Sequence, residues 1–261
     1  MAPAGGSASP TDLIYGFHAV RESLRAANRS LQRVLVVRTD RQFAEVVQAA
    51  RSKGIPVHIE PPAAFDRLVP HGRHQGVIAV VAAKSYSSLE EILEHARRRQ
   101  EPPLVLILDG VEDPQNLGAI VRTAEGAGVH GIVIPERRAV GLTSVVAKVA
   151  AGALDHMRVA RVTNLASLVE VLKNEGLWIY ALDQAGAQSY AEIDMTGPLA
   201  VIAGGEGSGV RPGLLKQCDG HIRIPMRGKI ESLNVSAAVA VTLFEALRQR
   251  AKRKATQPAS T

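Results

Sequence analysis

The stretch LVLILDGVEDPQNLGAIVRTAEGAGVHGIVI (residues 104–134) decides the fold. LVLIL (104–108) and GIVI (131–134) are short apolar runs without polar alternation, the pattern of strands buried on both faces. Between them Asp113–Pro114 starts a turn, and Asn116 suits a helix N-cap. Leu117, Ile120 and Ala124 then form an apolar stripe at helical spacing. Strand, helix and strand within about 30 residues is the repeating unit of a parallel sheet. The alternation continues downstream. LWIYAL (177–182), LAVIA (199–203) and HIRI (221–224) read as strands, with helices expected near 117–127, 143–152, 165–175, 211–217 and 235–250. Residues 103–250 therefore read as an α/β domain on a parallel sheet covered on both faces, where ligands bind at the carboxyl ends of strands.

Residues 13–83 read as a smaller α/β unit. A short helix holds Val20–Leu24, LQRVLVV (31–37) is a strand, Phe43–Ala50 is helical, IPVHI (55–59) is extended, and GVIAVVA (76–82) is a buried strand. Ser88 and Glu91 form a capping box for a helix that runs to about Arg99, ahead of Pro102–Pro103. Residues 84–102 read as the linker between the two domains. The first twelve residues, MAPAGGSASPTD, have the composition of a disordered leader, and 251–261 that of a flexible basic tail.

The chain has 261 residues, 46% of them hydrophobic and 3% aromatic, enough for a core packed from aliphatic side chains. No run approaches ~18 uncharged apolar residues, so no membrane partner is expected. The amino terminus lacks the basic and apolar regions of a secretory signal. The single cysteine, Cys218, excludes a disulfide framework, and a cytoplasmic location is expected. The 8 histidines form no ligand-spaced cluster with that cysteine, so no metal is expected either. Asn28 and Asn234 head glycosylation sequons, which without a secretory signal are chance matches. Lys and Arg number 31 and Asp and Glu 25, a net charge of +6. Residues 1–88 hold 11 basic and 6 acidic side chains, or +5, while residues 89–261 hold 20 and 19, or +1. A basic lobe beside a near-neutral one suits a polyanion gripped by one part and acted on by the other.

Three segments carry candidate chemistry, and each follows a strand end. In the first, Arg122 lies six residues beyond Asn116. The second is AGGEGSGV (203–210), where glycines permit close backbone approach around Glu206. A carboxylate in that loop, with no Gly-Lys-Ser/Thr after it, excludes a phosphate-binding P-loop. The third is IPMRGKIESLNVSAAVAV (224–241), where Asn234 suits the N-cap of an alanine-rich helix. Taken alone, each also reads as an ordinary capped or glycine-rich turn.

In this order and spacing the three segments resemble the motifs of the SpoU (TrmH) family of RNA ribose 2′-O-methyltransferases. Asn116 with Arg122, Glu206 within Gly204–Gly209, and Ser232-Leu-Asn-Val-Ser236 match motifs one, two and three. IYGFHAV (14–20) and HQGV (74–77) resemble the amino-terminal domain of the family's ribosomal branch, so the likeness spans nearly the whole chain. The resemblance implies a carboxy-terminal α/β-knot (SPOUT) domain with a trefoil-knotted parallel sheet, preceded by an L30e-like α/β domain that grips RNA. It implies S-adenosylmethionine as cofactor, contacted by Gly204, Ile224 and Leu233. Asn116, Arg122, Glu206, Ser232 and Asn234 are implied as the catalytic set, with Asn116 and Glu206 holding Arg122 and the ribose in place. It also implies a homodimer whose active site forms at the subunit interface, and a guanosine of 23S rRNA as substrate. A tRNA substrate, a non-catalytic RNA-binding protein and a nicotinamide-dependent oxidoreductase are the alternatives. The intact motif set disfavours the second, and the lack of an early Gly-x-Gly-x-x-Gly disfavours the third.

Overall fold

A computed structural model describes residues 12–25, 31–70, 73–81 and 85–256. The expected leader up to residue 11, the Asn28 sequon and residues 257–261 lie outside these. Two compact units divide the chain, residues 1–84 with 142–144 and residues 85–141 with 145–261.

The first unit contains β1 (Asp12–Tyr15), α1 (Phe17–Arg25), β2 (Leu31–Val36), α2 (Ala44–Ser52), β3 (Val57–Ile59), α3 (Pro62–Leu68) and β4 (Val77–Val81). Its sheet has the order β1-β4-β2-β3; β1 and β2 run antiparallel to β4, and β3 runs parallel to β2. One face carries α1 and α2 over Val20, Leu24, Val34, Val36, Val46 and Ala79. On the other face Phe65 of α3 packs on Leu35, Ile78 and Val80. Helix α3 was not foreseen; Pro62 stands at its first position, where proline is compatible with helix formation.

The second unit opens with α4 (Leu89–Arg98), capped by the expected box: the Glu91 N–H donates to Ser88 Oγ (3.1 Å) and the Ser88 N–H to Glu91 Oε2 (2.8 Å). Ile92 and Leu93 bury this helix in the second unit's core, so residues 84–102 contain a packed helix. Then come β5 (Leu104–Asp109), α5 (Pro114–Gly126), β6 (Gly131–Pro135), α6 (Ser144–Val149), α7 (Ala153–His156), β7 (Val159–Val162) and α8 (Leu165–Asn174). The chain continues through β8 (Trp178–Leu182), β9 (Gln188–Ser189), β10 (Leu199–Gly204), α9 (Pro212–Leu215), β11 (Gly220–Arg223) and α10 (Val235–Thr256). Helix α10 thus runs on through basic residues expected in a tail.

The seven strands lie in the order β7-β6-β5-β10-β8-β11-β9, and every neighbouring pair is parallel. One face is covered by α4, α8 and α9 through Ile92, Leu168, Leu172 and Leu214. On α5, Leu117, Ile120 and Ala124 are buried, and α10 packs on α5 and β10. The cap of α5 differs from expectation. Asp113 takes that role, its side chain accepting from the Gln115 N–H (2.9 Å) with Pro114 at the first helical position. Asn116 lies inside the helix, buried, and its side chain is spent elsewhere.

At the amino ends of β5 and β10 a half-buried polar group closes the layer. The Arg250 guanidinium of α10 donates to four carbonyls: Pro102 (2.7 Å), Pro103 (3.2 Å), Met195 (3.0 Å) and Gly197 (2.6 Å). Burial brings its pKa down to about 10, which leaves it charged at neutral pH. Beside it the buried His130 accepts from the Leu104 N–H at Nδ1 (3.0 Å) and places Nε2 3.3 Å from Glu101 Oε2. Burial of the ring pulls the His130 pKa from 6.5 to about 4. The neutral ring is therefore the folded form. Its stabilising effect is complete above the unfolded pKa of 6.5 and is lost as pH falls toward about 4, because only the unfolded chain takes up the proton readily. His130→Asn keeps an acceptor for Leu104 but does not titrate. Urea unfolding at about pH 7 and about pH 4.5 is expected to show a smaller loss of stability on acidification in that variant than in the wild type.

Candidate active site

Because the strands are parallel, the carboxyl ends of β5, β8, β10 and β11 share one edge of the sheet. A cleft of about 780 Å³ opens there, walled by Leu182–Gln184, the loop 204–210, Ile222–Ile224 and Ser232–Val235. A second cavity of about 380 Å³ shares Glu206, Ser208 and Val235 with it and adds Asn116 and residues 110–113.

The loop after β10 is shaped by the chain's contact with itself. A Cβ on Gly204 would stand 1.9 Å from the Gly209 carbonyl carbon, and one on Gly205 would stand 2.0 Å from the Gly110 oxygen. Neither separation is compatible with a side chain at these positions. The Gly205 N–H donates to the Asp109 carbonyl (2.8 Å), and the Gly209 N–H donates back to the Gly205 carbonyl (3.1 Å). The buried carboxylate of Asp109 then accepts from Arg211, through its backbone N–H (2.9 Å) and its Nε (2.8 Å). Gly204 and Gly205 are thus required by the close passage of the backbone itself.

Three of the expected residues meet on this loop. Asn116 Nδ2 donates to Glu206 Oε1 (2.5 Å), Asn234 Nδ2 donates to the same oxygen (2.9 Å), and Asn234 Nδ2 also donates to Asn116 Oδ1 (3.0 Å). Asn234 Oδ1 accepts from the Ser236 N–H (2.9 Å) and Oγ (2.6 Å), so it caps α10 as its sequence position suggested. One carboxylate oxygen thus ties the helices after β5 and β11 to the loop after β10. Ser232 is exposed on the cleft wall, and Ile224 and Leu233 are half-buried there beside Gly204.

Arg122 is not part of this group. It is exposed on α5, lines neither cavity, and makes no ion pair or hydrogen bond among the described residues. Six residues along a helix turn a side chain by ~240°, so Arg122 and Asn116 cannot share a face. Glu206 and Asn116 hold each other and Asn234, not Arg122. Asp109, Asp183 and Arg211 were passed over in the sequence, although Asp109 and Asp183 directly follow or end apolar strands, where site residues collect. Among the described residues no group of three or more His, Cys, Asp or Glu is placed to hold a metal.

Residues 103–244 match the SpoU rRNA Methylase family model, and residues 13–87 match the model for RNA 2′-O ribose methyltransferase substrate binding. A putative TrmH family tRNA/rRNA methyltransferase of Bacillus subtilis is 41% identical over 92% of this chain and 96% of its own. A 23S rRNA (guanosine-2′-O-)-methyltransferase of Bordetella pertussis is 41% identical over 92% of this chain and 98% of its own. Among solved structures, the SpoU methyltransferase AviRb of Streptomyces viridochromogenes, in complex with AdoMet, superposes with a TM-score of 0.74 at 23% identity, over 92% and 91% of the two chains. An RNA 2′-O ribose methyltransferase superposes with a TM-score of 0.63 at 26% identity, over 92% and 88%. The architecture is thus the α/β-knot class with an amino-terminal substrate-binding unit.

The shared oxygen of Glu206 makes the network sensitive to charge. Asn116→Asp replaces a buried amide donor with a carboxylate that faces the exposed one of Glu206. We expect a loss of about 2 kcal/mol or more at about pH 8, because Glu206 loses a partner and gains a like charge. Repulsion raises the pKa of one carboxyl, so the penalty is relieved as pH falls through it. Urea unfolding at about pH 8 and about pH 5 should show the deficit shrinking in acid. A deficit that does not change with pH would mean that the two side chains do not interact.

Proposed function

Because the chain belongs to the SpoU rRNA methylase family, we propose that it transfers the methyl group of S-adenosylmethionine to the ribose 2′-hydroxyl of a guanosine in 23S rRNA. The observation that carries the reading is the joining of Asn116, Glu206 and Asn234 beside the cleft at the strand ends. For the RNA and the base, support comes from the Bordetella relative, which is named for that reaction.

The cleft fits the cofactor. Its volume of about 780 Å³ is in the range of small-molecule sites. Ile224 and Leu233 offer apolar surface to an adenine, and the tightly folded Gly204–Gly209 backbone offers N–H and C=O groups to the polar end. S-Adenosylmethionine supplies a methyl group already activated on a sulfonium. The protein has to seat the ribose hydroxyl in line and stabilise its oxygen as the proton leaves. One oxygen of Glu206 is committed to the two asparagines. The other has no hydrogen-bond partner among the described residues and is available to a ribose hydroxyl. Ser232 and Asn234 contact the target nucleotide from the cleft wall. A guanidinium donates hydrogen bonds and accepts none, so Arg122 serves as a stabiliser of the 2′-oxygen and a holder of the target phosphate, not as a base.

Arg122 faces away from its own Asn116, and it therefore completes the site of a second copy. The α5–α10 layer that carries it also exposes Phe244 (50%) and Leu247 (37%), apolar surface that a twofold mate would cover. Among the described residues no helix is long and apolar enough to cross a membrane. A cytoplasmic homodimer acting on ribosomal RNA is consistent with all of these features.

Calorimetry should detect S-adenosylmethionine binding without added metal, and should detect no binding of NAD. Arg122→Ala should lower single-turnover methylation by ~10²–10³ while leaving cofactor binding intact, and Arg122→Lys should restore little of it. Light scattering should give a dimer. Mixing Arg122→Ala with Asn234→Ala subunits should recover activity, because one of the two sites in a mixed dimer then has all its residues. A mixture no more active than its components would place Arg122 outside the partner's site. The Bacillus relative is named for tRNA or rRNA, and mapping 2′-O-methyl groups in a deletion strain distinguishes those substrates.

A further inference from the structure

In the first unit, three of the described arginines on the α1/α2 side are neutralised. Arg21 and Arg25 pair with Glu22 and Glu45, and Arg38 pairs with Asp40 at 2.6 Å. The opposite face differs. There the edge strand β3 and helix α3 border a groove of about 320 Å³ that contains Arg33 and Arg67. Both are exposed, and neither has an ion pair or hydrogen bond among the described residues.

The backbone aims these groups at one another. The pairing of β2 with β4 slips between Leu31 and Arg33, a bulge that lets Leu31 and Val34 both face the α1/α2 core despite their odd spacing. Arg33 and Leu35 are thereby turned toward the α3 side. Leu35 is in register with His58 on β3, which adds an exposed imidazole next to them. Across the groove, Ala64, Arg67 and Leu68 stand at positions i, i+3 and i+4 of α3, on one stripe of that helix. Glu60 contributes the groove's carboxylate and has no salt bridge to either arginine.

Two free guanidiniums, a carboxylate and an apolar wall make up a chemistry that fits one nucleotide of an RNA strand. Guanidiniums bind phosphates in a bidentate way, a carboxylate accepts from base amino groups or ribose hydroxyls, and Leu68, 44% exposed, offers a flat apolar surface to a base. We infer that the β3–α3 groove is an RNA-binding subsite of the first unit, which holds a single-stranded nucleotide with its phosphates on Arg33 and Arg67. This rests on the RNA-methylating activity proposed above and deepens it, since it names a surface on the first unit that holds the substrate, while the second unit carries the cofactor cleft.

The test uses the full chain and a 23S rRNA transcript, with binding measured across a salt series. The double variant Arg33→Ala/Arg67→Ala is compared with Arg51→Ala, which removes an unpaired cation from α2 on the opposite face. Each lost phosphate contact should weaken binding by about tenfold. The double variant should also flatten the plot of log affinity against log salt by about two units of slope. Arg51→Ala should stay within about twofold of wild type, and all three proteins should melt and bind S-adenosylmethionine alike. Equal effects of Arg51→Ala and the double variant would reduce the groove to general basicity and overturn the inference. A double variant that binds the transcript like wild type would also overturn it and leave the groove to a protein partner. A wild-type chain that does not bind the transcript would instead refute the activity reading, and this inference with it.

Discussion

The site depends on a place where two turns of backbone touch with no side chain between them. The chain leaving β10 crosses the chain leaving β5 at Gly205 and Gly110, and it folds back on Gly204 through Gly209 and Val210. The crossing puts Glu206 within reach of Asn116, 90 residues earlier in the chain, and of Asn234. The hydrogen-bonded triangle is possible only because the glycines bring the two loops this close. The contact between the buried Asp109 and the exposed Arg211 holds the same crossing, and removing Arg211 would leave the buried carboxylate short of a partner.

Much of this architecture could be read from the sequence, and the misreadings have physical causes. The core strands were legible because strands buried on both faces are written as unbroken apolar runs. Strands β7 and β9 were not: VARV alternates and its last two residues are not buried, and β9 is two polar residues held by β11. Asn116 was misread as a cap because asparagine caps helices well, and nothing local distinguishes that use from a buried amide paired 90 residues away. Asp113 followed by proline was the better cap signal. The sequence singled out Glu206 by the glycines around it and Asn234 as a helix cap, yet only the folded chain shows that they meet. Arg122 marks the limit. A position on an exposed helix face cannot be assigned a partner from one chain's sequence.

Helix α10 connects the two ends of the layer. It begins at the strands' carboxyl ends, where Asn234 caps it, and Arg250 reaches the strands' amino ends. Sixteen residues of helix cover ~24 Å, and a six-residue strand covers ~20 Å, so the helix matches the depth of the sheet. Four carbonyl acceptors for one guanidinium leave Arg250 little freedom to rotate, and this fixes the axial position of α10. The register of Asn234 against Glu206 is set in part from the far end of the same helix.

The parallel sheet also has a consequence in time. Its central pair joins Leu104 to Leu199, so no hairpin can seed it, and the segments that must meet are separated by most of the second unit. Chains dominated by such distant pairings fold slowly. While they do, a segment like LAVIA (199–203) presents an uncharged, strand-forming edge to any other copy. Crowding of nascent or refolding chains is therefore the hazard this topology carries. Kinetic competition between intrachain pairing and association, more than the stability of the finished fold, sets how much protein reaches the native state.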